Sequence, residues 1–94
     1  MRTKHVNVIH NPEENRFELP VEGHLAVLDY TLKGNTMVFL HTGVPPAIEG
    51  RGLGASLVET GLEYARSNGL KVRSTCWFVS KYIQRHPEYQ DLLK

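Results

Sequence analysis

Glu49-Gly50-Arg51-Gly52-Leu53-Gly54-Ala55-Ser56 decides the reading of this chain, because of what stands on either side of it. An apolar run, Met37-Val38-Phe39-Leu40 continuing to Val44, precedes it, and a long amphipathic segment from Leu53 to about Asn68 follows. A glycine-rich turn between a strand and a helix exposes the helix's first unpaired backbone N–H groups. Those donors and the positive end of the helix dipole make a pocket for an anion, best suited to phosphate. Glycine also lets a ligand approach the backbone closely and supplies φ > 0 where the turn needs it. The loop therefore predicts a binder of a phosphate-bearing cofactor.

Upstream of the loop the pattern is that of strands. His5-Val6-Asn7-Val8-Ile9-His10 alternates, and Asn11-Pro12-Glu13-Glu14-Asn15 is a turn cluster. Arg16-Phe17-Glu18-Leu19-Pro20 alternates again and is expected to stop at the proline. From His24 to Lys33, Ala26, Leu28, Tyr30 and Leu32 share one face, with Leu25, Val27, Asp29, Thr31 and Lys33 on the other. Gly34-Asn35 marks a tight hairpin into Thr36–Val44, whose apolar content predicts a central strand covered on both faces. Four antiparallel strands by residue 44 is the simplest arrangement.

Downstream, Pro45-Pro46 breaks the sheet. Leu57, Val58, Gly61, Leu62 and Ala65 then recur at helical spacing, and Asn68-Gly69 stops the helix. Leu70–Cys76 reads as a short strand, which a right-handed crossover sets parallel to Thr36–Val44. Phe78, Val79, Tyr82 and Ile83 form a second helical stripe ended by Pro87, and Tyr89, Leu92 and Leu93 suit a last helical turn. The fold class is α+β with an α/β-like C-terminal half, on a mixed five-stranded sheet.

Composition narrows the class of partner. Ninety-four residues, 40% hydrophobic and 22% charged, suit one domain (1–94) with a single modest core. A net charge of +1 argues against nucleic acid, whose binders carry a strongly basic face. One cysteine excludes an intrachain disulfide and fits a reducing, cytoplasmic setting. No apolar stretch has the length of a membrane span, and the basic start, Met1-Arg2-Thr3-Lys4-His5, is not followed by the apolar region of a signal peptide. The five histidines show no metal-ligand spacing, so no metal is expected.

No Lys-Ser/Thr follows the last glycine, so the loop is not a P-loop. An antiparallel meander ahead of a G-x-G-x-G spacing also departs from the dinucleotide fold. Antiparallel strands, then G-x-G opening a long helix, then a parallel strand, resemble the GNAT superfamily of N-acetyltransferases. There the stretch Q/R-x-x-G-x-G/A binds the pyrophosphate of acetyl-coenzyme A (acetyl-CoA) through backbone amides. Gly52 and Gly54 match its two glycines, Arg51 lies in its variable pair, and Glu49 takes the place of Gln or Arg. His41-Thr42, the loop Glu49–Gly54, Cys76 and the ending Tyr82-Ile83-Gln84-Arg85-His86-Pro87-Glu88-Tyr89 resemble the superfamily's short single-domain branch. The likeness runs from about Phe17 to Leu93.

The resemblance implies an acetyl-CoA-dependent transferase acting on an amine, with coenzyme A held by Arg51, Gly52, Leu53, Gly54 and Ala55. It further implies main-chain N–H groups near Val44 at the thioester carbonyl, and Tyr82 reaching the cofactor from the second helix, whereas the spacing of Tyr82 with Phe78 favours plain core packing. Cys76, at the end of its strand, is read as a nucleophile or an acid toward the departing thiolate, or as a small buried hydrophobe. His41 suits a base toward Cys76 or the amine, or a histidine held by backbone. Arg51, Lys81 and Arg85 are the cations placed to neutralise phosphates, and Trp77 is expected in the core.

Full-size members carry two helices between their first two strands, forming a wall of the acceptor cleft, whereas here only Asn11–Asn15 lies there. An open side implies an exposed acceptor, such as a peptide amine or polyamine, or a wall lent by a second subunit of a homodimer. A different function keeps the loop without the acid–base set: a non-catalytic acyl-CoA binder or sensor working through a protein partner.

Overall fold

The computed structural model describes residues 7–94. Five strands form one sheet in the order β1 (Ile9–Asn11), β2 (Arg16–Val21), β3 (His24–Lys33), β4 (Thr36–Gly43) and β5 (Lys71–Ser74). The first four pair antiparallel, and β5 runs parallel to β4. Helix α1 (Leu53–Ser67) connects β4 to β5, and α2 (Trp77–Arg85) follows β5, with a 3₁₀ turn over Pro87–Leu92 after it. The mixed sheet and the helix order are those the patterning predicts.

Four strands differ in their bounds from expectation: β4 ends at Gly43 rather than Val44, β5 spans Lys71–Ser74 rather than Leu70–Cys76, and β1 and β2 differ as follows. β1 begins at Ile9, and His5 and Val6 lie outside the described residues. β2 does not stop at Pro20 but runs through it to Val21. Proline lacks a ladder donor and is tolerated at a free edge. Among the described residues Pro20 has such an edge, because β1 pairs only with Arg16, Phe17 and Glu18.

One face of the sheet carries the core. Phe17, Leu19, Ala26, Leu28, Tyr30, Met37, Phe39 and Val72 are all buried there under α1, which lays down Leu57, Val58, Leu62 and Ala65. Fully burying each leucine or valine is worth about 1.5–3 kcal/mol. Gly61 sets the separation, since a Cβ there would lie 2.9 Å from the Phe39 ring and 3.1 Å from Leu28. α2 adds Val79 and Ile83 on the same side, where the Ser80 hydroxyl donates to Ser74 Oγ at 2.9 Å. The final turn is clamped by Tyr89, whose hydroxyl donates to Glu63 at 2.6 Å, and by Arg66 on Asp91 and the Glu88 carbonyl.

The other face is different. Among the described residues no helix lies across it, and Leu25 and Ile9 stand exposed. β4 is therefore buried only from Thr36 to Phe39, not along its whole length as its apolar content suggests, and Leu40 and His41 are exposed.

The pairing of β4 sets up the site. Asp29 pairs with His41 and Tyr30 with Phe39, so Leu40 is an extra residue, a β-bulge. On the other side, β5 pairs with β4 only as far as Phe39–Ser74. Beyond that the strands part, and β4 from Leu40 onward has no strand on its β5 side.

Candidate active site

The parted strands open into a cleft of about 510 Å³. Leu40, His41, Thr42 and Val44 from β4 and its exit line one wall, and Thr75, Cys76, Trp77 and Phe78 the other. Glu49, Gly50, Gly52, Leu53, Gly54 and Ala55 form the far end.

That end is the first turn of α1. Gly52 is the N-cap residue at φ +75°, a left-handed conformation natural to glycine, and no side chain caps the turn. No acidic residue lies in it either. The first amide that bonds back is Ser56 N–H, to the Gly52 carbonyl at 3.1 Å, which leaves the Leu53, Gly54 and Ala55 amides without helical partners. Unfilled donors at the positive end of a fifteen-residue helix are suited to an anion. No side-chain hydrogen bond caps this turn, as an open anion pocket requires.

The glycines differ in role. A Cβ on Gly50 or Gly52 would meet nothing within 4 Å, whereas one on Gly54 would strike the Phe78 ring at 2.9 Å. Gly54 thus admits α2 against the start of α1. Arg51 lies outside the cleft lining, its guanidinium held by both carboxylate oxygens of Glu22 at 2.9 and 3.1 Å.

Cys76 is the N-cap residue of α2 and is 9% exposed. Its sulfur lies 3.6 Å from the Thr42 hydroxyl across the gap. Burial pushes the thiol up, but the Val79 amide, the Thr42 hydroxyl and the amides of Phe78 and Thr42 together outweigh it. The thiol is left below its ordinary value, as cysteines at helix N-termini are. The backbone of Cys76 is fixed separately: Ser74 Oγ donates to its carbonyl and accepts from its N–H.

His41 lines the same cleft from the other face of the sheet. It pairs with Asp29, whereas Thr42 pairs with the buried Leu28. Its Nε2 would be 3.0 Å from a Cβ on Gly43, which places the ring over that glycine on the outer face. The residue beside the sulfur is thus Thr42, and the cleft passes between the strands from Cys76 inside to His41 outside.

A second groove, about 520 Å³, continues from the first, sharing Ala55, Trp77 and Phe78. Lys81, Tyr82, Arg85 and His86 complete it. Tyr82 is half-buried and stacks on His86 with ring centroids 3.9 Å apart, and His86 Nδ1 donates to the Tyr82 carbonyl at 2.8 Å. Trp77, expected in the core, is 73% exposed instead. It is the first residue of α2, where Val79 and Ile83 set the buried stripe and Trp77 falls off it.

The sequence pattern of the GCN5-related N-acetyl-transferase family matches residues 16–92. The chain belongs to that family. This acetyltransferase is 34% identical to Protein NATD1 of Mus musculus over 85 residues, which are 87% of this chain and 77% of that protein. Protein NATD1 of Danio rerio is 32% identical over 89 residues, 89% of this chain and 81% of that one. A GCN5-like protein of Staphylococcus aureus, solved by NMR in solution, has the same fold, with a TM-score of 0.75 at 27% identity. That match covers 98% of this chain and 91% of the other.

Family members typically use acetyl-CoA, and the residues of this acetyltransferase fit such a molecule. The uncapped amides of α1 suit a diphosphate, the gap beside β4 an extended arm, and the second groove a planar ring with a further phosphate near Lys81 and Arg85. Among the described residues no group of three metal-binding side chains occurs, and no helix is long and apolar enough to cross a membrane.

Proposed function

We propose that this acetyltransferase moves an acetyl group from acetyl-CoA to an amine, with the diphosphate held on the Leu53, Gly54 and Ala55 amides. The observation that carries the reading is the uncapped, acid-free start of α1 opening into the cleft that also holds Cys76. Arg51 stays on Glu22 in this account, so the backbone does the work that an arginine or glutamine at position 49 would share.

When bound, acetyl-CoA supplies a thioester whose C–S bond breaks as the amine's C–N bond forms, leaving coenzyme A as the thiol. The chain's residues divide the protons by side. Cys76, inside the gap with a thiol more acidic than usual, gives its proton to the departing sulfur. His41, on the outer face, takes the proton the attacking amine loses, and solvent returns it to Cys76. N–H groups along the unpaired edge of β4, at or before Val44, face the thioester oxygen, because Pro45 and Pro46 offer none.

Calorimetric titration with acetyl-CoA tests the reading, with one saturable site expected. No binding at millimolar ligand overturns it. Binding with no acetylation of any amine in a broad panel instead supports an acyl-CoA sensor.

A further inference from the structure

A third hollow, about 380 Å³, lies on the outer face beside the cleft and shares Thr75 with it. Its lining is Lys33, Thr36, Val38, Arg73, Ser74, Thr75 and Lys94, three cationic side chains and no acidic one. None of the three cations is in an ion pair among the described residues, unlike Arg16, Arg51 and Arg66. At its floor, Thr36 is only 4% exposed, and among the described residues its hydroxyl has no hydrogen-bond partner. A buried hydroxyl without a partner is costly unless something fills the role. Three free cations around it give that something a negative charge.

The position says what would carry the charge. This is the face from which His41 is reached, and the hollow follows β4 away from the gap. Arg73 is level with Val38, two residues from Leu40, and Lys33 with Thr36, four residues away. At about 3.3 Å per residue, that sets an anion roughly 7 to 13 Å from the mouth of the gap.

We infer that the acceptor is an amine bearing a carboxylate or phosphate several bonds from its nitrogen, the anion held by Lys33, Arg73 and Lys94 with the Thr36 hydroxyl. The inference rests on the transferase reading and narrows it. An α-amino acid, with both groups on one carbon, is too short, and a polyamine has the wrong sign. A lysine side chain with its own carboxylate has the right reach.

The test compares four acceptors of one chain length with acetyl-CoA: 6-aminohexanoate, 6-aminohexyl phosphate, hexylamine and 1,6-diaminohexane. The anionic pair should exceed the other two in kcat/KM by about tenfold or more, as charge-assisted hydrogen bonds imply. The better anion names the group, and Lys33→Gln with Arg73→Gln should erase the preference. Equal rates, or preference for the diamine, overturn the inference while leaving the transferase intact. If acetyl-CoA binds but no amine is acetylated, the transferase reading fails. The hollow is then judged by titrating inorganic phosphate against the Thr36 and Arg73 amide resonances. Saturable shifts lost in the double variant support an anion site, and absent or unchanged shifts overturn it.

Discussion

The Thr42 hydroxyl stands 3.6 Å from the Cys76 sulfur, across the gap where β4 and β5 separate. The contact joins two devices, an edge freed by the bulge at Leu40 and the N-terminus of α2. The thiol is held below its ordinary value although burial alone would raise it. Its alkylation rate should therefore rise with pH around an inflection below that of a free thiol, and Thr42→Val should move the inflection upward. Cys76→Ala should keep acetyl-CoA affinity but lower transfer by about 100-fold or more if the thiol is the acid. Unchanged turnover in that variant removes Cys76 from the chemistry.

Ala55 is the third residue of α1 and lines both grooves. A carboxylate there would compete with phosphate for the same amides and satisfy the helix dipole in its place. Ala55→Glu should weaken coenzyme A binding by about tenfold or more, equivalent to roughly 1.4 kcal/mol or more. Its melting temperature in the absence of ligand should be equal or higher. A variant that loses binding and stability together would show only a damaged fold.

Gly61 faces the Phe39 ring and Leu28 at distances that exclude a methyl group. Alanine is the better helix former by about 1 kcal/mol. Here the crowding should dominate, because the contacts are packed rings and branches in the core. Gly61→Ala should lose about 1–3 kcal/mol of stability in urea unfolding. A stabilised variant would mean that α1 sits further from the sheet than described.

His10 stacks on Phe17, edges Tyr64 and meets the Tyr30 hydroxyl at 2.6 Å. Burial lowers its pKa in the fold below the ordinary histidine value of 6.5. The unfolded chain therefore takes up the proton first as pH falls. This contribution to stability is complete above about pH 6.5 and is lost progressively as the pH drops through the folded value. Melting temperature should decline between pH 7 and 5, and His10→Phe should flatten the decline. An identical slope in the variant assigns the effect to other groups.

Much of the fold was legible because it rests on short-range signals. Gly34-Asn35, Pro45-Pro46 and Asn68-Gly69 punctuate the chain where the elements end, and the α1 stripe from Leu57 to Ala65 is buried as its spacing predicts. The glycine loop was readable for the same reason. The faces of β4 were not. Counting by two from Met37 and Phe39 would put His41 on the core side, yet one extra residue at Leu40 reverses the alternation and brings Thr42 to Cys76. A bulge leaves no mark in composition, so Thr42 as the cysteine's neighbour had no sequence signal. The Glu22–Arg51 pair was equally hidden, since 29 residues separate partners joined only by folding.

Amide resonances followed during an acetyl-CoA titration address the central claim most directly. Leu53, Gly54 and Ala55 should shift most, in a saturable manner, with smaller changes at Thr42, Val44 and Cys76 along the cleft. Shifts centred elsewhere on the molecule, with the first turn of α1 unmoved, would contradict the account.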